Sequence, residues 1–128
     1  MKRLLAFAAI VEAATGLALM AVPTVAGRLL LGAEISGASI PLGRVAGFAL
    51  LSFGIACWPG RDATGNTAPA LRAMLTYNSL VTLYLLYLGI RGDWVGLLLW
   101  PAVALHGILS LLLTRQWRLG KRYTRASE

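Results

Sequence analysis

The stretch Leu4 to Val22, LLAFAAIVEAATGLALMAV, decides the fold. It is apolar almost throughout and has no polar face to turn towards water, and a helix needs about 20 mostly apolar residues to cross a bilayer. Three more stretches meet the same requirement: Ile40 to Trp58, Leu71 to Ile90 and Trp94 to Leu113. Each has a stop behind it. Pro23 follows the first and Pro59-Gly60 the second, Arg91-Gly92-Asp93 the third, and Arg115 opens a basic tail after the fourth. The expected architecture is all-α, an integral membrane four-helix bundle running up-down-up-down. Residues 1–128 form one transmembrane domain, with spans at about 4–22, 40–58, 71–90 and 94–113 and a cytoplasmic tail over 114–128.

Composition excludes the alternatives. The 128 residues are 58% hydrophobic and only 13% charged, against roughly 25% charged in soluble domains. A soluble chain this short buries too little of itself to hide that much apolar surface. Disorder is excluded as well, since it needs low hydrophobicity and high charge. A single cysteine, Cys57, rules out a disulfide framework and any multi-cysteine metal site.

Charge placement orients the bundle. Met1-Lys2-Arg3 and the apolar run behind it resemble a secretory signal, but Glu12 interrupts that run, so the segment reads as an uncleaved first span. Lys2, Arg3, Arg61, Arg72, Arg115, Arg118, Lys121, Arg122 and Arg125 fall on one side; Arg28, Arg44 and Arg91 fall on the other. That imbalance is expected to put both termini of a multi-pass membrane chain in the cytoplasm. The first connection, Pro23 to Ser39, carries Val25-Ala26-Gly27-Arg28-Leu29-Leu30-Leu31, too short to span and expected as a short helix in the outer interface. The polar segment from Pro59 to Ala70 is expected as a cytoplasmic loop, and Arg91-Gly92-Asp93 as a bare turn.

Polar residues within the spans are the candidates for a site. A carboxylate at a helix centre is costly in lipid unless buried, paired or protonated. Glu12 is flanked in helical phase by the small residues Ala9, Ala13 and Gly16, which places it on the bundle side. It lies about 12 Å from the cytoplasmic boundary, and Asn78 and His106 each lie about 10 Å from it. Three helices therefore contribute to one polar layer. As a functional site it is a ligand- or proton-binding cluster, with Glu12 as acid or base, His106 as its partner and Asn78 as a hydrogen-bond donor. As a structural one it is a clamp in which Glu12 is protonated or bonded to Asn78 or His106.

The remaining features favour packing and anchoring. Gly43, Gly47 and Gly54 form a stripe on the second helix and, with Gly16 on the first, are expected as helix-packing positions. Ser52 lies opposite that stripe, and Arg44 is expected to snorkel to headgroups. Trp58 and Trp117 mark the inner interface and Trp94 the outer one. Tyr77, Tyr84 and Tyr87 share a face of the third helix, which reads as aromatic packing or as a groove for quinone or lipid. Pro101 is expected to kink the fourth helix, and Cys57 reads as a small interfacial residue. Arg115, Arg118, Arg122 and Arg125 recur at helical spacing and suit anionic lipid headgroups. Nucleic-acid recognition would need a reading element besides. No phosphate-binding loop, nucleophile elbow or paired metal-ligand spacing occurs in the chain, so neither an enzyme nor a metal site is expected.

Glu12 through Pro23 (EAATGLALMAVP), a short apolar loop ending in Leu31-Gly32, and Gly43-Arg44-Val45-Ala46-Gly47 together resemble the small bacterial DoxX-like four-helix membrane proteins. The resemblance covers the first two spans and the hairpin architecture, and it implies a quinone-associated or accessory role without assigning residues. Ala9-Ile10-Val11-Glu12 with Gly16 and Leu19-Met20 is also similar to the first helix of small multidrug-resistance transporters, in which a membrane glutamate exchanges protons for cationic drugs. Here the glycine stands one residue further on, the first loop is longer, and the third and fourth helices differ. The expected function is a noncatalytic accessory or assembly subunit of a larger membrane complex, binding lipid or quinone if any cofactor. Its partners would be membrane lipids and other membrane subunits or a second copy. The alternative is a proton-coupled small-molecule transporter working through Glu12.

Overall fold

The computed structural model describes residues 1–60 and 66–126, with side chains as far as Gly120. Five helices follow in order: α1 (Lys2–Ala21), α2 (Pro23–Leu31), α3 (Ser39–Ala56), α4 (Ala68–Arg91) and α5 (Leu99–Ala126). There is no strand among the described residues. α1, α3 and α4 are long and apolar enough to cross a membrane.

Punctuation in the sequence sets most helix ends. Pro23 is tolerated at the start of α2 because its missing N–H would have had no helical partner there. Gly32 closes α2 and Gly92 closes α4, both left-handed at φ 71° and 77°, a conformation open to glycine.

The fourth apolar stretch departs from expectation. α5 begins at Leu99, not Trp94, and the link from α4 is the non-helical segment 92–98 instead of a bare turn. The cause is a better use of backbone donors. The Gly96 N–H donates to the Leu30 carbonyl at 3.1 Å and the Leu98 N–H to that of Leu29 at 2.7 Å, so the segment pairs with the open end of α2. Pro101 consequently falls in the first turn of α5. It removes no helical hydrogen bond there, and the expected reason for a kink is gone.

The long helices associate as two antiparallel pairs, α1 with α3 and α4 with α5, and the contacts between the pairs are lighter. A small core joins them at one end, where Leu5 and Ala8 of α1 meet Met74 of α4 and Leu109 and Leu113 of α5. Large apolar side chains otherwise face outwards, among them Phe7, Ile10, Val45, Phe48, Leu80, Leu83, Ile108 and Leu111. A few polar side chains of the long helices lie inside instead. Glu12, Asn78 and His106 are buried.

Candidate functional site

The buried polar residues meet where the two helix pairs face one another. On α4, the Asn78 side-chain amide donates from Nδ2 to the Met74 carbonyl one turn back, at 2.9 Å. That bond fixes the amide and leaves its Oδ1 as the acceptor at 2.7 Å from Nδ1 of His106 on α5. With the amide so oriented, His106 Nδ1 carries the hydrogen of that bond. Thr82 donates to the Asn78 carbonyl at 2.7 Å and ties the same turn down further.

Glu12 completes the cluster without joining its hydrogen bonds. Its side chain is fully shielded, Oε1 lies 3.8 Å from His106 Nδ1, and neither carboxyl oxygen has a hydrogen-bond partner. The Tyr77 hydroxyl is near enough to interact with the carboxyl, although the geometry falls short of a hydrogen bond. Tyr77 is itself held by aromatic contacts, 5.3 Å from the Phe53 ring and 6.1 Å from the His106 ring, the latter edge-on. The polar layer thus contains its three expected residues, but its clamp is Asn78–His106, and Glu12 stands beside it unbonded. His106 Nδ1–H has one hydrogen to give, and Asn78 is closer. Tyr77 is the member that sequence reasoning misplaced. Grouped with Tyr84 and Tyr87, which are more than half exposed, it shares the phase of Tyr84 to within about 20°, but at its depth Phe53 and His106 stand against the ring.

The glycine positions have a separate role. A Cβ at Gly16 would sit 2.7 Å from the Gly47 carbonyl oxygen, and one at Gly47 would sit 2.6 Å from that of Gly16. A Cβ at Gly54 would meet the Ala9 carbonyl oxygen at 2.7 Å. These three residues let the α1 and α3 backbones touch. Gly43 instead lies beside Pro23 at the start of α2.

The other candidates lie away from the cluster. Ser52 and Arg44 are exposed, as are Arg115 and Arg118 on α5. The side chains of Arg122 and Arg125 lie outside the described residues, as does Arg61. Cys57 is a buried member of the core. Beside the α1/α3 seam runs an open cavity of about 680 Å³, lined by Ala9, Ala13, Ala14 and Gly54 together with Ile10, Leu17, Ile55 and Trp58. No family model, curated protein or solved structure matches the chain.

Proposed function

We propose that this protein is a noncatalytic accessory subunit of the bacterial inner membrane, a four-span up-down bundle with both termini in the cytoplasm. The cavity on the α1/α3 flank carries this reading. Small residues floor it, and in lipid, helix association relies on such residues to let a neighbour's side chains approach closely. The shielding of Glu12 supports the same reading, because a transporter needs a water-filled path to its proton-carrying group. Arginines and lysines enriched at one end of the helices support the orientation. The likeness of the Glu12–Pro23 and Gly43–Gly47 segments to DoxX-like proteins agrees with an accessory role.

The test fills the cavity. Ala14 is exposed on the cavity wall, so Ala14→Trp should leave the melting temperature in detergent unchanged. It should also abolish copurification of the partner that the native protein brings from its membranes under mild detergent. A partner retained by Ala14→Trp would place the contact elsewhere.

A second reading, proton-coupled transport through Glu12, is favoured by one observation. Both carboxyl oxygens are buried without a partner, and an arrangement so costly to folding is typical of functional groups. Proton uptake by vesicles containing the purified protein, driven by a candidate substrate, would support it over the accessory role.

A further inference from the structure

We propose that α2 and the segment 92–98 form one plate immersed in the outer leaflet, a lipid-contacting cap over the bundle instead of two loops in water. The inference rests on the transmembrane reading of the long helices and adds to it a surface that neither helix length nor hydropathy assigns.

Three observations carry it. The first is the backbone. Irregular chain enters lipid only where its polar groups are satisfied internally, and the Gly96 and Leu98 N–H groups are bonded to α2 carbonyls. Glycine makes that approach possible. A Cβ at Gly96 would collide with the Leu29 carbonyl, and one at Gly32 would sit 2.5 Å from the Val95 oxygen.

The second is the side chains. Leu97 is 80% exposed, and Trp94, Val25, Leu29 and Val22 are also exposed, all in a part of the molecule that should be hydrated if it were a loop. On α2 Val25 and Leu29 occupy one sector. By helical phase they fall within about 40° of one another, Thr24 and Arg28 point about 100° away, and the buried Pro23 and Gly27 take a third direction. A helix lying flat at a bilayer edge needs that division, with one flank to lipid, one to water and one to the protein. Arg28 is paired with Glu34 on the polar side, which keeps both charges at the rim.

The third is length. The apolar part of α5, Leu99 to Leu113, rises only about 22 Å, short of the roughly 30 Å hydrocarbon core. Segment 94–98 supplies further apolar reach, and the Gly96 and Leu98 bonds to α2 satisfy two of its backbone donors there.

Spin labels at single cysteines, in a Cys57→Ala background reconstituted into phosphatidylcholine vesicles, test the plate. Leu83→Cys reports on the α4 span, Leu97→Cys on the plate and Asp93→Cys on its rim. Leu97 and Leu83 should both collide with oxygen and lose contact with a water-soluble nickel chelate, while Asp93 behaves in the opposite way. Chelate contact at Leu97 with Leu83 still protected would overturn the plate and leave the spans standing. Chelate contact at Leu83 would remove the spans and the plate together. A Leu97 label reached by neither reagent would mean that protein covers it, which also overturns a lipid contact. Gly96→Val, added to Leu97→Cys, should release the segment and restore the chelate at Leu97 without changing Leu83. Continued protection there would show that the α2 hydrogen bonds do not hold the plate.

Discussion

The two helix pairs are joined by opposite means. α1 and α3 meet at Gly16, Gly47 and Gly54, where main chain touches main chain. α4 and α5 meet through side chains, with the Asn78–His106 bond at 2.7 Å, a longer Ser79–Ser110 contact at 3.5 Å, and Gly89 lying against Leu99 and Trp100. The first seam gains dispersion from close approach and contains nothing that can titrate or rearrange. The second holds its helices through groups that can exchange partners. Adaptability in this molecule therefore belongs to the α4/α5 pair and the α1 residue that faces it, Glu12.

The largest break in that contrast should come from Gly47→Leu. Its first side-chain carbon would stand 2.6 Å from the Gly16 carbonyl oxygen and 2.9 Å from the Met20 nitrogen, so backbone has to move. Overpacking commonly costs about 1–3 kcal/mol, and this site belongs at or above the top of that range because rotamer changes cannot relieve it. A melting curve in detergent should show a large fall or no cooperative transition. A variant that melts like the native protein would mean the seam is not the rigid one.

Asn78→Ala should cost less, about 1–3 kcal/mol, the usual effect of stranding a buried polar group. His106 Nδ1–H then loses its only acceptor within hydrogen-bond distance. The ring is free to swing towards the Glu12 oxygen 3.8 Å away, which would recover part of the loss. Adding Glu12→Ala removes that escape, so the double variant should lose more than the two single losses combined. Simple additivity would show that the two pairs do not share this cluster.

Much of this contrast was legible in the sequence, and the reasons differ by region. Helix ends at Pro23, Gly32 and Gly92 were readable because those residues act through their own backbone chemistry. The inward direction of Glu12 followed from the phase of Ala9, Ala13 and Gly16. The start of α5 at Leu99 was not readable, because the competing structure for Trp94–Leu98 is a pairing with Leu29 and Leu30, more than 60 residues earlier. Apolar content alone cannot distinguish a helix turn from an irregular segment with borrowed acceptors. The clamp also eluded the sequence. Depth placed Glu12, Asn78 and His106 in one layer, but which pair bonds depends on where the Met74 carbonyl fixes the Asn78 amide.

Glu12→Gln is expected to have the smallest effect on stability and the greatest bearing on function. Because neither carboxyl oxygen has a hydrogen bond to lose, a neutral side chain of nearly the same shape should melt within about 0.5 kcal/mol of the native protein, the range of substitutions that disturb no specific interaction. Glu12→Ala should cost more, but through the space it leaves and not through stranded partners, since Asn78 and His106 remain bonded to each other. The pair of variants therefore separates packing from charge. Complementation of a deletion strain then separates the two functions. An accessory subunit should work with Gln at position 12, because the groove on the far side of α1 is unchanged. A proton carrier should not, because Gln cannot gain and release a proton in each cycle. A Glu12→Gln protein that melts normally yet fails to complement would move the function from the glycine seam's outer flank to the polar seam within.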